Sequence, residues 1–216
     1  MRPTEPHPLG VYVVTSAGLA VGRGHREVAL AAIEGGADAV QLRAKELRDD
    51  ELRPLARELA GACRASDVLF IVNDRVSVAL EAAADGVHVG QDDDAAAARA
   101  QLGTGPILGV SVADPEQAHE AEAAGADYLG VTVWATATKP DAVPGGLELV
   151  RDVARATALP VVAIGGIDSS NAADVLAAGA SGVAVVSAVA AADDPVEATR
   201  ALARAVHGAG APGAER

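Results

Sequence analysis

Cysteine is almost absent from this sequence, with Cys63 the sole example in 216 residues. It has no partner for a disulfide and no metal-ligand spacing around it, so it reads as a small core filler in a helical stretch. Aromatic residues are scarce too, at 2%, which means a core built from Ala, Val, Leu and Ile rather than from rings. Bases are outnumbered, 17 Lys and Arg against 30 Asp and Glu, for a net charge of −13. That balance excludes a general nucleic-acid or anionic-membrane surface while leaving room for a locally basic pocket. No run of roughly 18 uncharged apolar residues occurs, and the opening MRPTEPHPLG lacks the basic start and apolar stretch of a leader. The expectation is a soluble, cytoplasmic protein with neither nucleic acid nor membrane as partner.

What is present is punctuation. Half of the residues are apolar, and they gather into short runs: LGVYVVT (9–15), AVQLR (39–43), VLFIV (68–72), GVHVG (86–90), ILGVSV (107–112), YLGVT (128–132), PVVAIGG (160–166) and GVAVVSA (182–188). Between them lie stretches with helical spacing, among them 49–66, 114–126, 146–157 and 171–180, and a last helix opening on Asp194 and Pro195. The phrases GGADAV, AADGV, AGADYL and AGASGV repeat one helix-to-strand connection. Strands alternating with helices imply parallel pairing and right-handed crossovers, and eight such units can close into a (β/α)8 TIM barrel. A doubly wound open sheet is the weaker alternative, since no dinucleotide glycine fingerprint is present. One barrel domain over residues 1–208 is expected, with 209–216 a disordered tail.

In AVQLRAK, the residues Gln41, Arg43 and Lys45 share one strand face and Val40 and Leu42 the other. A barrel strand has no water-facing side, so the amide and two cations must point to the C-terminal mouth, where cations need an anion. The third strand ends in NDR and the fourth in GQDDD, bringing Asn73, Asp74 and further acids to the same rim. Alone, three aspartates read as a solvated loop or helix cap; beside Arg43 and Lys45, two carboxylates suit a Mg²⁺ that helps hold a pyrophosphate. AIGGI and the end of GVAVVSA fall where such barrels commonly cradle a phosphate. TATK (136–139) adds two hydroxyls and a cation. No Ser-His-Asp or Cys-His set can be assembled; His7, His25, His119 and His207 read as incidental, and His88 as a barrel-lining group that is structural or acid-base.

The ordered series YVVT, QLRAK, VNDR, GVHVGQDD, GVS, GADYLGV, TATK, AIGGI and VVSA, from about Tyr12 to Ala188, resembles the thiamine phosphate synthase family. The resemblance implies an enzyme joining 4-amino-5-hydroxymethyl-2-methylpyrimidine diphosphate to thiazole phosphate, forming thiamine phosphate and releasing pyrophosphate. It implies that Gln41, Leu42, Arg43, Ala44, Lys45, Asn73, Ser111 and Lys139 bind the pyrimidine diphosphate, with Arg43, Lys45, Ser111 and Lys139 acting on the departing group. Asp74 and Asp93 would hold Mg²⁺. Thr136, Ala137 and Thr138 would meet the thiazole, its phosphate against Gly166, Val186 and Ser187. Three features depart from the family pattern: Ser16 replaces an Asp, Ala113 replaces a His, and the loop bearing Trp134 is short by about one residue. A thiazole tautomerase, a silent precursor-binding barrel and a sugar-phosphate epimerase or lyase are the competing readings. For assembly, a small homo-oligomer is the default expectation.

Overall fold

The computed structural model describes residues 9–19, 22–136 and 144–209. Eight parallel strands close in sequence order into a barrel. They are β1 (Val11–Val14), β2 (Ala39–Leu42), β3 (Leu69–Asn73), β4 (Gly86–Val89), β5 (Ile107–Val112), β6 (Tyr128–Thr132), β7 (Val161–Ile164) and β8 (Gly182–Val185). The helices are α1 (His25–Glu34), α2 (Asp49–Ala65), α3 (Val76–Ala82), α4 (Ala95–Leu102), α5 (Pro115–Ala123), α6 (Gly146–Ala156), α7 (Ala172–Ala177), α8 (Ser187–Ala190) and α9 (Pro195–Ala209). None of the described helices is long and apolar enough to cross a membrane.

The repeated helix-to-strand phrase has a physical basis beyond its turn. After α1 and α5, Gly36 and Gly125 take the left-handed conformation that stops a helix, whereas after α3 Ala83 does so at φ 52°. The Asp that follows turns its carboxylate onto an amide at the start of the strand before it. Asp38 accepts from Val11 at 2.7 Å, Asp85 from Phe70 at 2.8 Å and Asp127 from Leu108 at 2.9 Å. Strand-end amides that would otherwise face the barrel bottom unpaired are thus satisfied, and the register is pinned.

Two cores result. The larger lies between barrel and helices, where Val40, Leu42 and Ala44 pack with Leu52, Leu59 and Cys63. The smaller fills the barrel with Tyr12, Val14, Leu69, Ile71, Tyr128 and Val162. Here the expectation of a core without rings is corrected, because Tyr12 and Tyr128 are the largest fully buried side chains. A barrel axis needs few but bulky fillers, and Gly109 makes the space: a Cβ there would lie 2.1 Å from the Tyr128 ring. Boundaries also differ from the sequence reading, most clearly in the last two elements. The last strand stops at Val185 and the chain turns at Val186 into α8, and the final helix continues through Ala209.

Candidate active site

The floor of the barrel mouth is a line of hydrogen bonds crossing from β2 to β5. The Gln41 amide nitrogen donates to the Tyr12 hydroxyl at 2.8 Å, and the Tyr12 and Tyr128 hydroxyls are 2.9 Å apart. Tyr128 meets His88 Nδ1 at 2.9 Å, and His88 Nε2 meets Ser111 Oγ at 2.9 Å. Each hydroxyl has one proton to give and can also accept, so the members of the line can be satisfied together. The Gln41 amide nitrogen can only donate to Tyr12, and an arrangement that serves every member of the line runs from Tyr12 to Tyr128, from Tyr128 to His88 Nδ1, and from an Nε2–H of His88 to Ser111. The Ser111 proton is then free to point into the cavity that Ser111 lines. Burial pushes both tyrosine hydroxyls well above their ordinary range, so both stay protonated at working pH.

Above this floor the two cations expected from AVQLRAK stand at the mouth. Arg43 and Lys45 line the cavity together with Asn73 and Asp74 from the end of β3. Lys45 Nζ lies 3.6 Å from Asp74 Oδ2, and with the Lys45 side chain 63% exposed the pair contributes little on its own. Asp74 has φ 61°, a left-handed conformation that an Asp tolerates better than most residues and that re-aims the chain at the rim. On the facing rim, Gly165, Gly166, Val186 and Ser187 line the same cavity. Trp134 packs on Gly166, whose added Cβ would lie 3.3 Å from the Trp134 Cβ. Thr132 and Thr136 join them from the end of β6 and the segment after it. The cavity is open to solvent, and residues from both rims line it.

The acids divide. Asp74 opens onto the cavity. Asp93 accepts from the Gly90 amide at 2.7 Å and Asp94 caps α4 by accepting from Ala97 at 2.8 Å, the roles that a bare aspartate run suggests. No group of three or more potential metal ligands gathers among the described residues. Such a donor set fits Mg²⁺, which binds through one or two carboxylates completed by substrate phosphates and water, better than a metal needing a full protein cage.

Of the residues expected to contact substrate, Gln41, Arg43, Lys45, Asn73, Ser111, Thr136, Gly166, Val186 and Ser187 line one cavity. Leu42 and Ala44 turn their side chains to the outer core, leaving only their backbone toward a ligand. Ala137, Thr138 and Lys139 lie outside the described residues. Sequence reasoning passed over Tyr12 and Tyr128, although both tyrosines of the chain fall on strands at inward positions. It also took His25 as incidental, and the fold gives that residue buried hydrogen-bond partners. His25 is 5% exposed, with Nδ1 2.9 Å from Thr15 Oγ1 and Nε2 2.5 Å from Glu46 Oε1. The pairing of β1 with β2 around α1 brings those three positions together. Cys63 is buried as expected, and burial pushes its thiol up to about 12.

Residues 11–189 match the family described as thiamine monophosphate synthase. The thiamine-phosphate synthase of Chloroflexus aurantiacus is 52% identical over 194 residues, covering 89% of this chain and 90% of that protein. The thiamine-phosphate synthase of Natronomonas pharaonis is 50% identical over 204 residues, covering 92% and 95%. The solved thiamine phosphate pyrophosphorylase of Pyrococcus furiosus superposes with a TM-score of 0.88 at 40% identity, covering 95% of this chain and 98% of its own.

Proposed function

The chain belongs to the thiamine monophosphate synthase family, and we propose that its barrel mouth is where the reaction of that family takes place. It joins the hydroxymethylpyrimidine diphosphate to thiazole phosphate, giving thiamine phosphate and pyrophosphate. The observation that carries this reading is the pairing of two anion-suited rims, Arg43 and Lys45 on one side and Gly165 to Ser187 on the other, around one cavity.

The chemistry asks little proton transfer of the protein. The bond between the pyrimidine methylene and the diphosphate oxygen breaks, with its electron pair leaving on pyrophosphate, and the pyrimidine amino group stabilises the methylene cation. The thiazole nitrogen then forms the new C–N bond without losing a proton. Arg43 and Lys45 neutralise the departing charge, and the Ser111 proton, turned outward by the floor, meets a leaving oxygen. Glycines and backbone amides at Gly166, Val186 and Ser187 suit the thiazole phosphate. Asp74, with Asp93 as second carboxylate, would hold Mg²⁺, which when bound supplies further neutralisation of the pyrophosphate. The Lys139 and Thr138 contacts implied by the family likeness belong to this same proposal.

The test is direct. Purified protein, both substrates and Mg²⁺ are incubated, with EDTA as control, and thiamine phosphate and pyrophosphate are followed. Metal-dependent formation of both in equal amounts is expected. Binding of thiazole phosphate without product would overturn the synthase reading.

A further inference from the structure

Thr15, at the end of β1, is fully buried. Its hydroxyl accepts from the backbone amide of Arg43 at 3.2 Å and faces His25 Nδ1 at 2.9 Å. The other nitrogen of His25 lies 2.5 Å from a carboxylate oxygen of Glu46. One imidazole thereby reaches both ends of the segment Arg43–Glu46, which carries the two cations of the mouth. Nε2–H donates to the Glu46 carboxylate, and Nδ1 exchanges a hydrogen bond with the Thr15 hydroxyl. Glu46 directly follows Lys45 and is three residues from Arg43. A carboxylate so placed, if released, would neutralise the cations that a diphosphate must find.

We propose that His25 is a positioning residue for the diphosphate grip, holding the Glu46 carboxylate and the Arg43–Glu46 segment so that Arg43 and Lys45 serve the ligand rather than their own neighbour. The inference rests on the synthase reading and deepens it, since His25 itself lines no part of the cavity. The role belongs to Nε2, because only that atom reaches Glu46.

Two conservative variants separate the ends of the ring. In His25→Gln the side-chain amide lies near the Nε2 position and keeps the Glu46 bond; in His25→Asn it lies near Nδ1 and keeps only Thr15. Dissociation constants for inorganic pyrophosphate with Mg²⁺ and, separately, for thiazole phosphate are measured by calorimetry in both variants and the unmodified protein. Losing a hydrogen bond to a charged group predicts about tenfold weaker pyrophosphate binding in His25→Asn. His25→Gln should stay within about twofold, and thiazole phosphate should bind alike in all three. The double variant His25→Asn with Glu46→Gln should regain part of the loss, as no free carboxylate competes. Equal pyrophosphate affinity in the Asn and Gln variants, or an equal loss for thiazole phosphate, would overturn the role of His25 alone. Failure of the unmodified protein to bind pyrophosphate with Mg²⁺ would overturn the synthase reading and this inference with it.

Discussion

Ser111 shows how one hydroxyl acquires a direction. Its Oγ sits 2.9 Å from His88 Nε2, and three further links lead back to Gln41. On the proposed mechanism, replacing Ser111 with Ala removes a donor to the leaving oxygen, and kcat should fall by about 10²- to 10³-fold with little change in KM. Steady-state rates with both substrates check this, and a KM effect alone would make Ser111 a binding contact only. Tyr128→Phe leaves the ring in place but deletes the hydroxyl that joins Tyr12 to His88. One neutral hydrogen bond is worth about 1 kcal/mol, so kcat should drop about threefold to tenfold. An unchanged kcat would detach the floor from Ser111. The other route to the same failure is Gly109→Ala: a Cβ 2.1 Å from the Tyr128 ring leaves the tyrosine no room. That variant should lose both stability and activity, read from thermal denaturation and rate.

At the scale of elements, the barrel is held by a device repeated on alternate strands. Asp38, Asp85 and Asp127 each stand just before an even-numbered strand and bond the start of the odd-numbered strand beside it. Asp127 also pairs with Arg99 at 2.5 Å, with both side chains less than a third exposed. Asp127→Ala leaves the Leu108 amide and the Arg99 guanidinium without this partner, at a cost of about 3 kcal/mol. Urea unfolding should show it as a lower midpoint at unchanged slope, and a loss under about 0.5 kcal/mol would remove the aspartate from this role. These connections are also why the fold could be read from the sequence: GGADAV and its relatives mark where each helix stops and each strand begins. The strand read from GVAVVSA overran because Val186 and Ser187 are as apolar or small as strand residues. Only their place at the rim makes Val186 the turn and Ser187 the start of α8. The interior escaped for a different reason, since two tyrosines say nothing of meeting until strands far apart in sequence face each other across the axis.

The whole molecule has a window of pH set by buried and bonded groups. Backbone bonds at the start of α1 hold Glu27 below the usual carboxylate range, and the Ser170 hydroxyl does the same for Asp168. Burial works against Glu46, yet the His25 bond leaves it lowered as well. Groups depressed in the folded state contribute stability above their unfolded pKa, near 4, and lose it as pH falls through the folded value. Tyr12, Tyr128 and Cys63 are raised by burial. Their contribution is complete below the unfolded values, roughly 8.5 for the thiol and 10 for tyrosine, and is lost as pH climbs toward the folded ones. Thermal midpoints should therefore be level between about pH 5 and 8 and fall on both sides. A midpoint still rising above pH 10 would contradict the burial of the tyrosine pair.

The site was legible wherever a strand's alternation forced a polar residue inward, as with Gln41, Arg43 and Lys45. It was not legible where a loop or a neighbouring strand decides the partner, as with His25 and Thr15, or Trp134 on Gly166. The proposed division of one mouth into two anion sites is best examined at Arg43. In Arg43→Ala, KM values for the pyrimidine diphosphate and the thiazole phosphate are measured separately at saturating Mg²⁺. Loss of a charged contact predicts a rise of about tenfold to a hundredfold for the pyrimidine diphosphate and under about twofold for the thiazole phosphate. Equal increases for the two substrates would contradict the placement of the diphosphate on the Arg43 rim.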